Sequence, residues 1–127
     1  MSLIKSNYSA WVSGFLPPLI GVDEPSVVNE FSKKMLSIKP EIAFTAAESI
    51  FESDLRNILR DVKIPCSIIQ TRKDAVVPLS VAYYMECNLN GREKNSVHIV
   101  DTDSHLPQLT ASHMLAQLLT QILAARS

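Results

Sequence analysis

Asp74 and His105 are the two side chains of this sequence whose types and placement could do chemistry together. Asp74 follows the apolar run Ile64-Pro65-Cys66-Ser67-Ile68-Ile69-Gln70 and the turn Thr71-Arg72-Lys73. His105 follows a second apolar run, Ser96-Val97-His98-Ile99-Val100, and the turn Asp101-Thr102-Asp103-Ser104. An acid that orients an imidazole, with that imidazole taking a proton from a nucleophile, is two-thirds of a Ser-His-Asp triad. Acid first and histidine later is also a chain order that such triads use. The nucleophile of that order sits in a Gly-x-Ser-x-Gly elbow, where a sharp strand-to-helix turn leaves no room for side chains. Gly14, Gly21 and Gly91 are the only glycines and no two stand four apart, so these residues hold no elbow. Neither Cys66 nor Cys87 has the flanking glycines that would let it substitute. The plainer alternative is that Asp74 caps the helix after Pro78 and His105 is a loop residue. A metal set drawn from His98, Asp101, Asp103 and His105 fits no standard zinc spacing. His98 falls mid-strand and the two aspartates read as turn residues, so neither a metal nor a cofactor is expected.

Two strands and their loops must position the pair. Residues 65–71 and 96–100 read as strands, with a helix from Pro78 to about Asn88 between them and Val81, Tyr84 and Met85 facing inward. Asn90-Gly91 reads as that helix's C-cap, and a last helix spans about 109–125. A strand-helix-strand crossover makes the strands parallel and right-handed, and sites in such sheets gather beyond the strands' C-terminal ends. Both runs have the composition of strands buried on both faces, which two strands alone cannot provide. The chain is therefore expected to begin partway through a larger sheet.

Upstream of the strands the pattern is helical. Tyr8, Trp11, Val12, Phe15 and Leu16 recur at helical spacing after Asn7, a suitable N-cap. Pro17-Pro18 ends or kinks that helix. A second helix begins at Asp23 or Glu24, with Pro25 in its first turn. It carries Val27, Val28, Phe31, Met35 and Ile38 and an ion pair of Glu30 with Lys34. A third begins at Pro40 and carries Ile42, Ala43, Ala46, Ala47, Ile50 and Phe51. Ser53-Asp54 caps a fourth with Leu55, Ile58 and Leu59 on one face. Trp11, Phe15 and Phe51 would line an apolar chamber, although helix packing accounts for them as well.

The 127 residues suffice for one ordinary domain, and 46% hydrophobic with 20% charged content marks a globular chain. A net charge of -1 argues against nucleic acid or an anionic membrane surface as partner. No apolar run approaches the ~20 residues that span a bilayer, and no secretory leader is evident. Two cysteines make no disulfide framework, and Cys66 reads as a buried free thiol within its strand. An intracellular setting, cytoplasmic and nuclear, is the expectation.

Several words in this sequence carry a resemblance. They are Asn7-Tyr8-Ser9-Ala10-Trp11-Val12 with Gly14-Phe15, Glu30-Phe31-Ser32, Lys39-Pro40-Glu41-Ile42, Phe51-Glu52-Ser53-Asp54-Leu55-Arg56, Ile64-Pro65-Cys66, Asp74 with Val77-Pro78, and His105-Leu106-Pro107-Gln108-Leu109. Together they resemble the plant strigolactone- and karrikin-receptor family of α/β-hydrolases, leaning to its Dwarf14-like branch. The resemblance implies an α/β fold: residues 1–52 as a four-helix lid and residues 53–127 as the C-terminal part of the hydrolase core. It implies Asp74 and His105 as catalytic acid and base, and Trp11, Phe15, Ile50, Phe51, Ala75 and Val76 as ligand-binding positions. It further implies slow hydrolysis of ester or enol-ether bonds in a small apolar butenolide, and signalling to an F-box protein and repressor partners through the lid.

This sequence departs from that family in having Ser104 where a glycine is usual, which would restrict the loop. The link from Asn90 to Asn95 is slightly long. The half bearing the serine and oxyanion hole is absent, so the chain alone is expected not to cleave esters. Two alternatives are a non-catalytic interaction module that uses the lid surface and a fragment with no independent function.

Overall fold

The computed structural model describes residues 2–21, 24–91 and 95–125. The chain divides into two compact units, Met1–Asp54 and Leu55–Ser127.

The first unit is helical: α1 (Ser2–Ser6), α2 (Tyr8–Ile20), α3 (Pro25–Leu36) and α4 (Pro40–Glu52). Asn7 caps α2 as its side chain suggests, accepting the Ala10 N–H at 3.0 Å. The helix runs through Pro17 and Pro18 rather than stopping there. The prolines forfeit two N–H bonds, but the Gly21 N–H closes the last turn onto the Pro17 carbonyl at 2.9 Å. Val12, Leu16, Leu19 and Ile20 bury the helix's inner face, and that burial holds the turn despite the prolines. Gly21 then leaves the helix at φ 113, a conformation that suits glycine. Pro25 opens α3 behind Glu24, which makes no side-chain cap bond; Asp23 lies outside the described residues. Val27, Val28, Phe31 and Met35 are half-buried along α3, but Ile38 is exposed because the helix ends at Leu36. Glu30 and Lys34 pair at 2.9 Å, and the Tyr8 hydroxyl donates to the Met35 carbonyl at 2.8 Å, joining the start of α2 to the end of α3.

In α4 the buried positions are the small ones, Ala43 and Ala47. The Lys5 ammonium lies over the Phe44 ring at 3.9 Å, where α1 meets α4. Ile42, Ile50 and Phe51 lie on the exposed side. Close approach of helices selects alanine for the seam, so the larger residues are left outward.

The second unit opens with a 3₁₀ helix, Arg56–Asp61, preceded by Leu55 with no side-chain cap. The expected α-helix capped by Ser53-Asp54 does not form. Six residues followed by Val62 and Pro65 leave too little length for a stable α-helix. Then come β1 (Ser67–Thr71), α5 (Leu79–Asn88), β2 (Ser96–Val100), α6 (Pro107–Thr110) and α7 (Ser112–Ala124). The strands pair in parallel, in register from Ser67 opposite Ser96 to Thr71 opposite Val100. Both are half-buried apart from their last residues, so their central-strand composition is not matched by burial in this chain. Cys66 lies just before β1, half-buried rather than enclosed in it.

α5 packs on the sheet through Ala82, the one residue of this helix that is buried. Val81 and Tyr84, expected inward, instead line an open apolar groove of about 680 Å³ with Leu55, Ile58 and Leu59. A helix this close to the sheet accepts a methyl at the contact and turns its bulk aside. Gly91 is not the C-cap, since α5 ends at Asn88 with Leu89 as cap. Its glycine is required by a close approach: a Cβ there would run into the carbonyl of Ile64.

Candidate active site

The parallel ladder does not stop where the strands do. The Arg72 N–H donates to the Val100 carbonyl at 3.0 Å and the Lys73 N–H to the Thr102 carbonyl at 3.2 Å. Arg72 Nε also meets Asp101 Oδ1 at 2.7 Å. These contacts stitch together the two loops that leave the C-terminal ends of β1 and β2. Asp74 directly follows Lys73 and His105 lies three residues past Thr102, and the stitching brings them into reach.

His105 Nδ1 lies 2.8 Å from Asp74 Oδ2. The Asp74 side chain is 4% exposed and that of His105 30%. Asp74 Oδ1 accepts the N–H groups of Val76 at 2.8 Å and Val77 at 2.9 Å, an Asx turn that folds the acid loop back on its own carboxylate. Oδ2 also accepts from Gln70 Nε2 at 3.0 Å. Burial pushes the Asp74 carboxyl up, but the Val77 N–H, His105 and the Val76 N–H outweigh it and hold it below its ordinary value. The acid is therefore a carboxylate near neutral pH. A carboxylate can only accept, so the facing Nδ1 carries a proton. Nε2 of a neutral imidazole is then left as the acceptor, the state a general base needs.

The histidine loop is built from its own polar groups. Ser104 is 1% exposed. Its Oγ accepts the Leu106 N–H at 3.0 Å, and its own N–H reaches Thr102 Oγ1 at 3.4 Å. Pro107 then begins α6, whose Ala111 N–H returns to the Pro107 carbonyl at 2.8 Å. His105 is thus held between a buried serine turn and a short helix.

The sequence-derived candidates fare differently. Asp74 and His105 are brought together. Asp74 does not cap α5, which has Pro78 at its N-cap and no side-chain cap bond, but accepts the Val76 and Val77 N–H groups of its own loop. Val76 is half-buried and supplies one of the carboxylate's N–H donors, whereas Ala75 is exposed. In the helical unit Trp11 and Phe15 stack at 4.9 Å, continuing a stack from Tyr8. On α4, Phe51 is 61% exposed and Ile50 69% exposed, while Ala43 and Ala47 are buried. The possible metal set is dispersed: Asp101 is engaged by Arg72, and His98 Nε2 shares a hydrogen bond with Ser96 Oγ at 2.9 Å. Among the described residues no group of three or more His, Cys, Asp or Glu could hold a metal ion. Two contributors to the site went unread in the sequence, Gln70 and the Arg72–Asp101 clamp. Their signal was slight: a lone amide at the end of an apolar strand, and opposite charges just past two paired strands.

No family model matches the chain. Curated relatives do. A strigolactone esterase of Pisum sativum is 44% identical over 118 residues, covering 93% of this chain and 43% of the relative. A strigolactone esterase of Arabidopsis thaliana is 43% identical over 122 residues, covering 96% and 45%. A karrikin insensitive 2 receptor of Petunia hybrida is 43% identical over 117 residues, covering 91% and 43%. Among solved structures, a hydrolase from Oleispira antarctica superposes with a TM-score of 0.86 at 26% identity, over 97% of this chain and 44% of that one. The chain thus spans less than half the length of the proteins it matches.

Proposed function

We propose, for a chain that belongs to the α/β-hydrolase family of the strigolactone esterases and karrikin receptors, that Asp74 and His105 are the acid and base of a serine-type hydrolase triad. One observation carries this reading: the 2.8 Å contact of His105 Nδ1 with a buried carboxylate, which leaves Nε2 as acceptor. In the reaction Nε2 takes the proton of an attacking serine hydroxyl, Asp74 stabilises the imidazolium, and the same proton passes to the leaving oxygen. The serine comes from outside these 127 residues, since no Gly-x-Ser-x-Gly occurs among them. The substrate class is a small apolar butenolide cleaved at an ester or enol-ether bond. Residues 1–52 take the part of the lid, with Trp11 and Phe15 as ligand-facing aromatics and the exposed α4 face as a surface for an F-box protein and repressor partners.

A chimera tests this. The upstream part of the Pisum sativum esterase is joined to residues 1–127 and assayed on a fluorogenic butenolide. Hydrolysis by the chimera, lost in His105→Ala, is the expected result. Hydrolysis that survives His105→Ala would remove the histidine from the chemistry.

A further inference from the structure

The Asp74 carboxylate has four donors, and one of them comes from the strand rather than from either loop. Val76 and Val77 hold Oδ1 through their N–H groups. The two oxygens of a carboxylate turn together about the Cβ–Cγ bond, a broad torsion, so a donor on Oδ2 narrows further the rotation that the two donors on Oδ1 already restrict. Gln70 Nε2 lies 3.0 Å from Oδ2, the oxygen that also meets His105. The same nitrogen donates to the Val77 carbonyl at 3.1 Å and lies 3.4 Å from the Thr71 carbonyl. All three neighbours are acceptors, so the carboxamide can satisfy them only with its NH2 group turned toward them. Its two N–H groups are then spent on the acid and on the carbonyl before Pro78. One residue of β1, in register with Ile99, grips both the acid and the far end of the loop that carries it.

We propose that Gln70 is a positioning residue for the Asp74–His105 pair, its carboxamide fixing the direction of Oδ2 and with it the bond to His105 Nδ1. The inference rests on the reading of that pair as a hydrolase acid and base. A carboxylate oxygen has lone pairs for two donors, so Gln70 and His105 share Oδ2 without competing. An amide does not titrate in the working range, so the anchor persists at every pH at which the imidazole changes charge.

The test uses the 127-residue chain labelled with 13C and 15N, following the Asp74 carboxyl carbon and the His105 Nδ1 proton by NMR. Gln70→Met keeps the length of the side chain and removes both donors. It is expected to move the Asp74 titration up by about one pH unit, the size of one lost charge-assisted bond, and to broaden the His105 Nδ1 proton. A packing role alone would lower the unfolding midpoint and leave the Asp74 titration in place. Gln70→Glu is the second variant, which decides if Gln70→Met does not fold. Two carboxylates at that spacing titrate as a pair, with one apparent value raised above the ordinary range. An Asp74 titration unchanged in the folded variants overturns the role of Gln70. Asp74→Asn separates the two claims. If it abolishes the His105 Nδ1 signal while the Gln70 variants do nothing, the pair stands and the anchor falls. If it leaves that signal untouched, the pair itself falls and takes the anchor with it.

Discussion

The two loops beyond β1 and β2 carry Asp74 and His105, and α4 carries Ile50 and Phe51, which the resemblance marks as ligand-binding; the two regions are built in opposite ways. The loops are complete in themselves. Asp74 has four donors, Ser104 is buried and bonded, and the ladder continues through Arg72 and Lys73 to hold them. The α4 face is incomplete, with Ile42, Ile50 and Phe51 turned outward in their unit. Polar sites need directional partners at fixed distance, and those partners here are a few residues away in sequence or directly across a strand pair. Apolar surface has no such demand, so its partner can be supplied by any cover and nothing local dictates which.

That contrast can be broken in order of effect. The largest change is expected from Asp74→Asn in the hydrolytic chimera described above. It removes the acceptor that fixes the histidine tautomer, and kcat should fall on the order of 10⁴-fold; a fall of only a few-fold would mean the pair is structural. Next is Asp74→Ala in the chain itself. It strands the Val76 and Val77 N–H groups and the Gln70 amide, costing roughly 1–3 kcal/mol by urea denaturation. Acid should act on the same group. Its folded value lies below its unfolded one, so its contribution is complete above the unfolded carboxyl value and is lost as pH falls through the folded value. The unfolding midpoint of Asp74→Ala should therefore lose less than the parent does across that acid window.

Smaller effects sharpen the other side of the comparison. Tyr8→Phe deletes the bond to the Met35 carbonyl and should cost about 0.5–1.5 kcal/mol in the helical unit. The smallest is Phe51→Ser, which should stay within about 0.5 kcal/mol because the ring is already exposed. A cost of several kcal/mol for Phe51→Ser would show that the α4 face is covered in solution, and the comparison would have to be redrawn.

The residues that were legible in the sequence share a short-range cause. Asn7 capping α2, Pro40 opening α4, the Glu30–Lys34 pair and the parallel β1–β2 arrangement all follow from spacing of a few residues or from one crossover. The convergence of Asp74 and His105 was legible because consecutive parallel strands put their trailing loops side by side. What sequence misread was decided by packing distance. On α5 Ala82 took the seam, where periodicity favoured Val81 and Tyr84. Gly91 looked like a helix cap, but the Ile64 carbonyl passing over it is a contact between segments far apart in the chain. Pro17 and Pro18 read as an end or a kink of the helix, and it does not end there, because local rules carry no knowledge of the buried residues around them. Gln70 was passed over because a single amide in an apolar run has no periodic signature.

Residues 67–106 bring Asp74 and His105 within hydrogen-bond distance inside this one chain. The most direct measurement is the 15N spectrum of the His105 imidazole in the 127-residue chain, compared with that of Asp74→Asn, above the range in which the imidazole is protonated. The predicted result is a proton on Nδ1 with Nε2 bare in the parent, and a shift toward the Nε2-protonated tautomer once the carboxylate is gone. The same tautomer mixture in both proteins would contradict it, for it would mean that Asp74 does not hold His105 in solution.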